Sequence, residues 1–282
     1  MKKAQKHLHE LVPYGLVVTR SWLMDKGGVE RHTLDNWIKS EQLVSVTSEV
    51  RGVFKLPETT RLTWEGVVCS LQRMHEVVMP GGLTALTLQG HAHYLSPLAH
   101  KTVHLYSQEK MPEWINKFPL QTTYIHHKNL PLKALRSTGL KNHVYSTKHG
   151  QSYEDTIPWA WRLDEWPLTI SGPERAMFEV LMDVPENTSL EHANQLMQGL
   201  PMLSPIKLNR LLSRCENVKV KRLFLWLAEK NQLPWLKKID LDKFSMESGA
   251  LGSGKRELVK GGKLDPKYLI TVPKEMAGNT HG

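Results

Sequence analysis

The run from Leu11 to Pro57 constrains this chain more than any other, because it sets two short helix signals ahead of two strand signals. Thr19 can cap a helix carrying Trp22, Leu23 and Met24, which Gly27 and Gly28 then end. A second helix is expected from about Glu30 to Glu41, where Leu34, Trp37 and Ile38 keep the spacing of one buried stripe. Val29 and Leu34 suit a hydrophobic staple across its start, whereas Glu30 is a poor residue for the cap. Turning each residue by about 100° puts His32, Asn36 and Lys39 opposite the stripe. Thr33 and Ser40 flank them, and Arg31 and Asp35 lie nearer the sides. Residues 43–47 and 52–56 then alternate like paired strands around a tip at 48–51. Helix, glycine turn, helix and hairpin in that order are a winged helix-turn-helix.

A helix of about 12 residues is roughly 18 Å long and fits a major groove about 12 Å wide. Asn36 can read adenine at two points, and Arg31 and Lys39 suit phosphate or guanine. Arg51, at the end of the tip, would reach the backbone or the minor groove. The expected DNA-binding residues are therefore Arg31, His32, Thr33, Asn36, Lys39, Ser40 and Arg51. A helical hairpin whose polar face meets another protein is the competing reading. The glycines, the basic-polar face and the wing, found together and in order, favour DNA.

Charge points the same way. A formal charge of +9 favours an anionic partner, with nucleic acid the first candidate. Its 282 residues are enough for one large or two medium domains with an ample core. Cys69 and Cys215 stand far apart and outside any metal spacing, so they read as reduced core thiols of a cytoplasmic protein. No apolar run is long enough to span a membrane, which leaves no membrane partner in view. The opening MKKAQKHLHELV lacks an apolar signal core and reads instead as a first helix burying Leu8, Leu11 and Val12.

The expected division is a winged-helix domain over 1–57, a connecting helix over 58–80, an α+β domain over 81–276 and a disordered tail over 277–282. Thr63 can cap the connecting helix, which runs from Trp64 to about Val77. A break at 79–82 precedes a short helix from about Leu83. Extended segments are expected at 102–106, 121–126, 143–146 and 158–163. Four helices follow. Ser171 to Glu174 and Thr188 to Glu191 read as capping boxes for the first two, and Ser204–Pro205 opens the third. Val220, Leu223, Phe224 and Leu227 mark the inner face of the fourth. Residues 251–259 and 267–272 are expected to pair as strands across Gly261 and Gly262.

Signals for catalysis are weak. Residues 249–255, GALGSGK, imitate a phosphate loop, but Arg256 stands where a magnesium-binding Ser or Thr is required. His91, His93, His100, His104, His126 and His127 crowd one region without metal-ligand spacing, so no metal or other cofactor is expected. Glu174 reads as part of its capping box, and Arg175 as the partner of a nearby carboxylate. Asp164 and Glu165 lack the lysine partner that a nuclease would need. A second basic surface is expected in the late helices, at Lys207, Arg210, Arg214, Lys219, Lys221 and Arg222. It would meet nucleic acid or an acidic protein surface.

The opening unit, with its T-x-x-W-L, GGV and G-V-F-K-L-P punctuation, resembles the winged-helix domain of AbiEi-type antitoxins. The phrases SGPERAMFEVL, NQLMQGL, VKVKRLFLWLAEK and LGSGKRELVKGGKLDPKYLITVP resemble the second domain of the same family. The resemblance implies a non-enzymatic antitoxin of a bacterial type IV toxin–antitoxin system, associated with abortive infection as phage defence. Such a protein represses its own operon at promoter DNA, bound as inverted repeats. It counteracts a nucleotidyltransferase-like toxin without requiring a stable complex. Two alternatives belong to other classes: a metal-dependent nuclease or other nucleic-acid enzyme targeted by the winged helix, and a module that masks the toxin directly.

Overall fold

The structure, a computed structural model, describes residues 2–59, 61–74, 78–92, 102–118, 120–128, 156–159 and 168–277. Its N-terminal unit closes around Leu8, Val12, Val18, Leu23, Val29, Leu34, Trp37, Leu43, Phe54 and Leu56. These come from helices α1 (Lys2–Leu11), α2 (Arg20–Asp25) and α3 (Arg31–Lys39) and from a small sheet. The sheet is antiparallel throughout, with order β1-β3-β2: β1 (Val18–Thr19), β3 (Val53–Lys55) and β2 (Val44–Ser45). The wing expected from the sequence is present as β2 and β3, each shorter than its alternating run. The strand β1 was not expected; two residues carry no periodicity.

Helix α4 (Trp64–Arg73) begins where Thr63 accepts a hydrogen bond from the Gly66 amide. Its face of Val67, Val68 and Leu71 enters the larger core. Its polar side chains hold the N-terminal unit in place. Ser70 accepts from the Val17 amide at 2.8 Å, and Arg73 donates to the carbonyls of Glu10 and Leu11 at 2.8 and 2.9 Å. The Gly15 amide reaches Thr59 at 3.0 Å.

In the larger domain β4 (Met79–Pro80) leads through Gly81 into α5 (Gly82–Leu88). Strands β5 (Thr102–Tyr106) and β6 (Thr123–His127) pair in parallel, and β4 joins the other edge of β5 antiparallel. A parallel pair requires a crossover, and the link between β5 and β6 includes a 3₁₀ turn over Glu113–Lys117. Strands β7 (Thr156–Trp159) and β8 (Leu168–Ser171) form an antiparallel pair. Buried Gln72 of α4 acts as a strand edge toward β8: its amide nitrogen donates to Thr169 and Val78 carbonyls, and its oxygen accepts from the Thr169 amide.

Helix α6 (Pro173–Met182) is the hub. Ala176, Met177, Phe178, Val180 and Leu181 are buried among α5, β8, α7 (Leu190–Gln198), α8 (Pro205–Arg214) and α9 (Val218–Lys230). Phe178 meets Phe224 of α9 with ring centres 4.5 Å apart. A last sheet, β10-β11-β9, packs on α9, with β9 (Arg256–Glu257), β10 (Lys263–Asp265) and β11 (Ile270–Val272). The α+β class expected from the sequence holds.

Three local expectations are corrected. Ser171 does not cap α6: it ends β8 and donates to buried Glu179, while Glu174 accepts from the Ser204 amide, and Gly172 takes the cap position. The second capping box is displaced by one residue, because Ser189 caps α7 and His192, not Glu191, supplies the amide. Finally, residues 251–259 and 267–272 do not form a hairpin. β9 and β11 run parallel, and β10, which lies between them in sequence, pairs antiparallel on the other edge of β11. Residues 143–146, part of 158–163, Asp164 and Glu165, and the tail from 278 lie outside the described residues.

Candidate nucleic-acid interface

Helix α2 starts where the Thr19 hydroxyl accepts the Trp22 amide at 3.2 Å, and losing such a cap costs about 1 kcal/mol. It ends because Gly28 adopts φ +63°, and because a Cβ on Gly27 would stand 2.6 Å from the Leu23 carbonyl. Helix α3 follows with Glu30 at its cap and no side-chain hydrogen bond there, as its poor capping chemistry suggests. Val29 and Leu34 both enter the small core, consistent with a staple. The helix is shorter than expected at its far end. Glu41 takes a left-handed φ of 55°, while the Glu41 amide reaches the Ile38 carbonyl and the Gln42 amide that of Trp37. That is a Schellman ending, so α3 spans about 13.5 Å.

Opposite buried Leu34 and Trp37, the side chains of Arg31, His32, Asn36 and Lys39 are exposed and Thr33 is half-buried. His32 is held on both sides, by Glu30 at 3.1 Å and by Thr33 at 3.3 Å. The Asn36 carboxamide has no hydrogen-bond partner among the described residues, which leaves both its donor and its acceptor available. The Ser40 hydroxyl donates to the Asn36 carbonyl at 2.7 Å, so Ser40 closes the helix rather than presenting a free group. Arg51 is exposed at the wing, whose tip is anchored from within by Val50.

One contact had no sequence signal. Arg20 of α2 binds Asp35 of α3 with both terminal nitrogens, and Arg31 adds a longer approach of 3.9 Å. The Arg20 hydrogen bond, with the charges of Arg20, Arg31 and Lys39, holds the Asp35 carboxyl below its ordinary pKa of 3.8. The pair fixes α2 against α3 beside the exposed face. Its two residues follow no common periodicity, so only the fold reveals it.

The second basic group does not form one surface. Arg222 is fully buried, and its guanidinium donates to the carbonyls of Leu251, Gly252, Gly254 and Leu269. Lys219 donates to the carbonyls of Met182 and Val184, and Lys221 to that of Ala250. These three cations close turns of backbone, which corrects their placement on an anion-binding face. Lys207, 3.9 Å from Glu174, is half-buried, and Arg210 and Arg214 are exposed on α8. The phosphate-loop imitation is explained as well: carbonyls of that loop turn inward onto Arg222. Arg175 does meet a carboxylate, buried Glu179, at 2.7 Å.

Two helices joined by a glycine turn, a hairpin wing and an outward polar face on the second helix define the winged helix-turn-helix class, here carried on a larger α+β domain. Residues 1–97 match the family model described as "Transcriptional regulator, AbiEi antitoxin N-terminal domain", and residues 100–273 match "Transcriptional regulator, AbiEi antitoxin, Type IV TA system". The chain belongs to the AbiEi antitoxin family of transcriptional regulators. No curated protein gives a significant match. Among solved structures, that titled "Crystal structure of RV2827C protein from Mycobacterium tuberculosis" is similar at 13% identity and a TM-score of 0.42, over 90% of this chain and 85% of that one. Among the described residues no helix is long and apolar enough to cross a membrane.

Proposed function

We propose that this protein represses its own operon by placing α3 in the major groove of promoter DNA. Asn36 reads a base there, Arg31, His32, Thr33 and Lys39 hold the groove walls, and Arg51 extends the contact along the backbone. The observation that carries this reading is the outer face of α3, where Asn36 and Lys39 stand exposed while Leu34 and Trp37 anchor the helix. Inverted repeats in the promoter would be met by two copies of the chain, one per half-site. The second domain counteracts a nucleotidyltransferase-like toxin encoded in the same operon, without a stable complex between the two proteins. Family membership supports this second role.

The test is a mobility-shift titration of the upstream promoter fragment against scrambled DNA at several salt concentrations. Preference for the promoter that survives moderate salt is the expected result. Equal, salt-labile binding to both fragments would reduce the interaction to bulk charge, and the repressor reading would be withdrawn. For the second domain, size-exclusion chromatography of toxin and antitoxin together should show separate peaks; co-elution would favour direct masking.

A further inference from the structure

A cavity of about 610 Å³ lies between α4, α5, the β5–β6 pair and the turn that follows α6, on the larger domain. Three of its lining residues come from distant parts of the chain and converge on one wall: His104 of β5, His127 of β6 and Asp183 at the end of α6. The parallel register sets Tyr106 beside His127 and places His104 two residues before Tyr106, so the two imidazoles share one face of the pair. Nδ1 of His104 stands 2.9 Å from Nε2 of His127, and Nδ1 of His127 stands 3.5 Å from Oδ1 of Asp183.

Contacts around the cluster fix the backbone that carries it. The Tyr106 ring stacks on His127 with centres 4.4 Å apart and planes 9° from parallel. The His104 amide donates to Thr84 at 2.8 Å. The Asp183 carbonyl accepts from the amides of Asn187 and Thr188, which fixes the turn that carries its carboxylate. His127 and Asp183 are only 11% and 13% exposed, so the cluster is sheltered by the fold and reached through the cavity. The neighbouring His126 points elsewhere, to the Ser107 carbonyl.

We propose that His104, His127 and Asp183 bind a divalent transition-metal ion at the wall of this cavity. Each can offer one donor atom, and these atoms lie within 4.8 Å of one another. Ligands about 2.0–2.1 Å from a metal are separated by about 2.9 Å at a right angle and about 3.4 Å at a tetrahedral angle. Without an ion the two imidazoles share a hydrogen bond, and His127 turns Nε2 to His104 and Nδ1 to Asp183, so its ring must reorient for one nitrogen to join both partners on a metal. With the donor atoms within 4.8 Å of one another, rotation of the Asp183 and His127 side chains has to close the widest edge by no more than about 1.4 Å for a tetrahedral angle or about 1.9 Å for a right angle. Two imidazoles and one carboxylate suit zinc, cobalt, nickel or ferrous iron over magnesium or calcium. Three protein ligands would leave at least one position open for a water or small oxygen ligand, and the adjoining cavity is lined by Thr87, Asn187 and His192. The ion would cross-link β5, β6 and α6, which are separated widely in sequence.

The spacing of these residues conceals the site. His104 and His127 look like members of a scattered histidine-rich region, and Asp183 ends a helix far downstream. Parallel pairing of β5 with β6 is what brings them together.

The experiment uses the full chain without an affinity tag, stripped with chelator and titrated separately with cobalt(II) and zinc(II) chloride. The expected result is one equivalent bound, with a cobalt ligand-field spectrum of mixed nitrogen and oxygen ligation and a raised melting temperature. His104→Gln and Asp183→Asn keep side-chain size, and each should lower metal affinity by about tenfold or more. Their metal-free circular dichroism and melting identify variants that fold. Should one of them fail to fold, the other carries the comparison, and X-ray absorption of the wild-type zinc form counts its imidazole ligands directly. Absence of stoichiometric binding, or binding that both folded variants retain at wild-type affinity, would overturn the proposal by assigning the metal to surface histidines.

Discussion

Two groups of basic residues look alike in the sequence and have opposite fates in the fold. On α3, Arg31 and Lys39 project from a short helix whose other face is anchored by Leu34 and Trp37. On α9, Arg222 lies on the inner side of a helix packed all round, and Lys219 and Lys221 fold back onto backbone carbonyls. The first group adds to an external field, which matters for an anionic ligand. The second is taken up by backbone carbonyls of the chain's own turns, among them the buried Leu251 carbonyl. Charge counts therefore indicate a partner only after it is known which cations the chain uses on itself.

The largest expected effect follows from the buried group. Arg222→Met would leave the buried Leu251 carbonyl without its guanidinium donor and remove the bonds to the less buried carbonyls of Gly252, Gly254 and Leu269, so that the turn they close loses its centre. A loss of about 3–5 kcal/mol is expected in urea unfolding, with promoter affinity unchanged wherever the protein is folded. Normal stability with weakened DNA binding would reverse the comparison and return Arg222 to the surface group. Asn36→Ala comes next. It should weaken operator binding by about 1–3 kcal/mol and relax base preference, while urea unfolding stays within about 0.5 kcal/mol of wild type. Unchanged specific binding removes Asn36 as a reader.

The difference between the two groups also explains how much could be read in advance. The winged helix is local: Thr19, the two glycines, and the Leu34–Trp37–Ile38 stripe each act within a few residues, and the structure places them as expected. Helices α8 and α9 were legible for the same reason, through Ser204, Leu208, Leu223 and Phe224. What failed was long-range or depended on competition for one group. Ser171 has the chemistry of a helix cap, but Glu179, buried beside it, takes its hydroxyl. The extended character of β9 and β11 is legible, but the chain inserts β10 between them in sequence, and those three residues carry too little pattern to show that β11 returns parallel to β9. Lysines of α9 could be counted but not oriented, because their acceptors are carbonyls some thirty residues away, as Ala250 is for Lys221.

Smaller effects sharpen the contrast within a single measurement. If Lys39 grips one phosphate as proposed, Lys39→Ala should reduce the dependence of log affinity on log salt concentration by about one unit. Lys221→Ala should leave that slope alone and lower stability by about 1 kcal/mol through the lost Ala250 contact. Equal slopes for the two variants would mean that exposure on α3 confers no special role.

The smallest expected effect tests how the exposed face is kept in place. The Arg20 hydrogen bond, with the nearby cations, lowers the Asp35 carboxyl below 3.8, so folding favours its ionised form. The sign follows from linkage: the contribution is complete above the unfolded value and disappears as pH falls through the folded one. Melting of the wild type should therefore lose ground to Asp35→Asn only in acid, from about pH 4 downward. Near neutral pH the substitution should lower the melting temperature slightly and weaken promoter binding, because α2 no longer clasps α3 through Arg20. A melting difference that stays constant across the acid range would mean that Asp35 acts through packing alone. The orientation of α3 would then rest entirely on Leu34 and Trp37 from within.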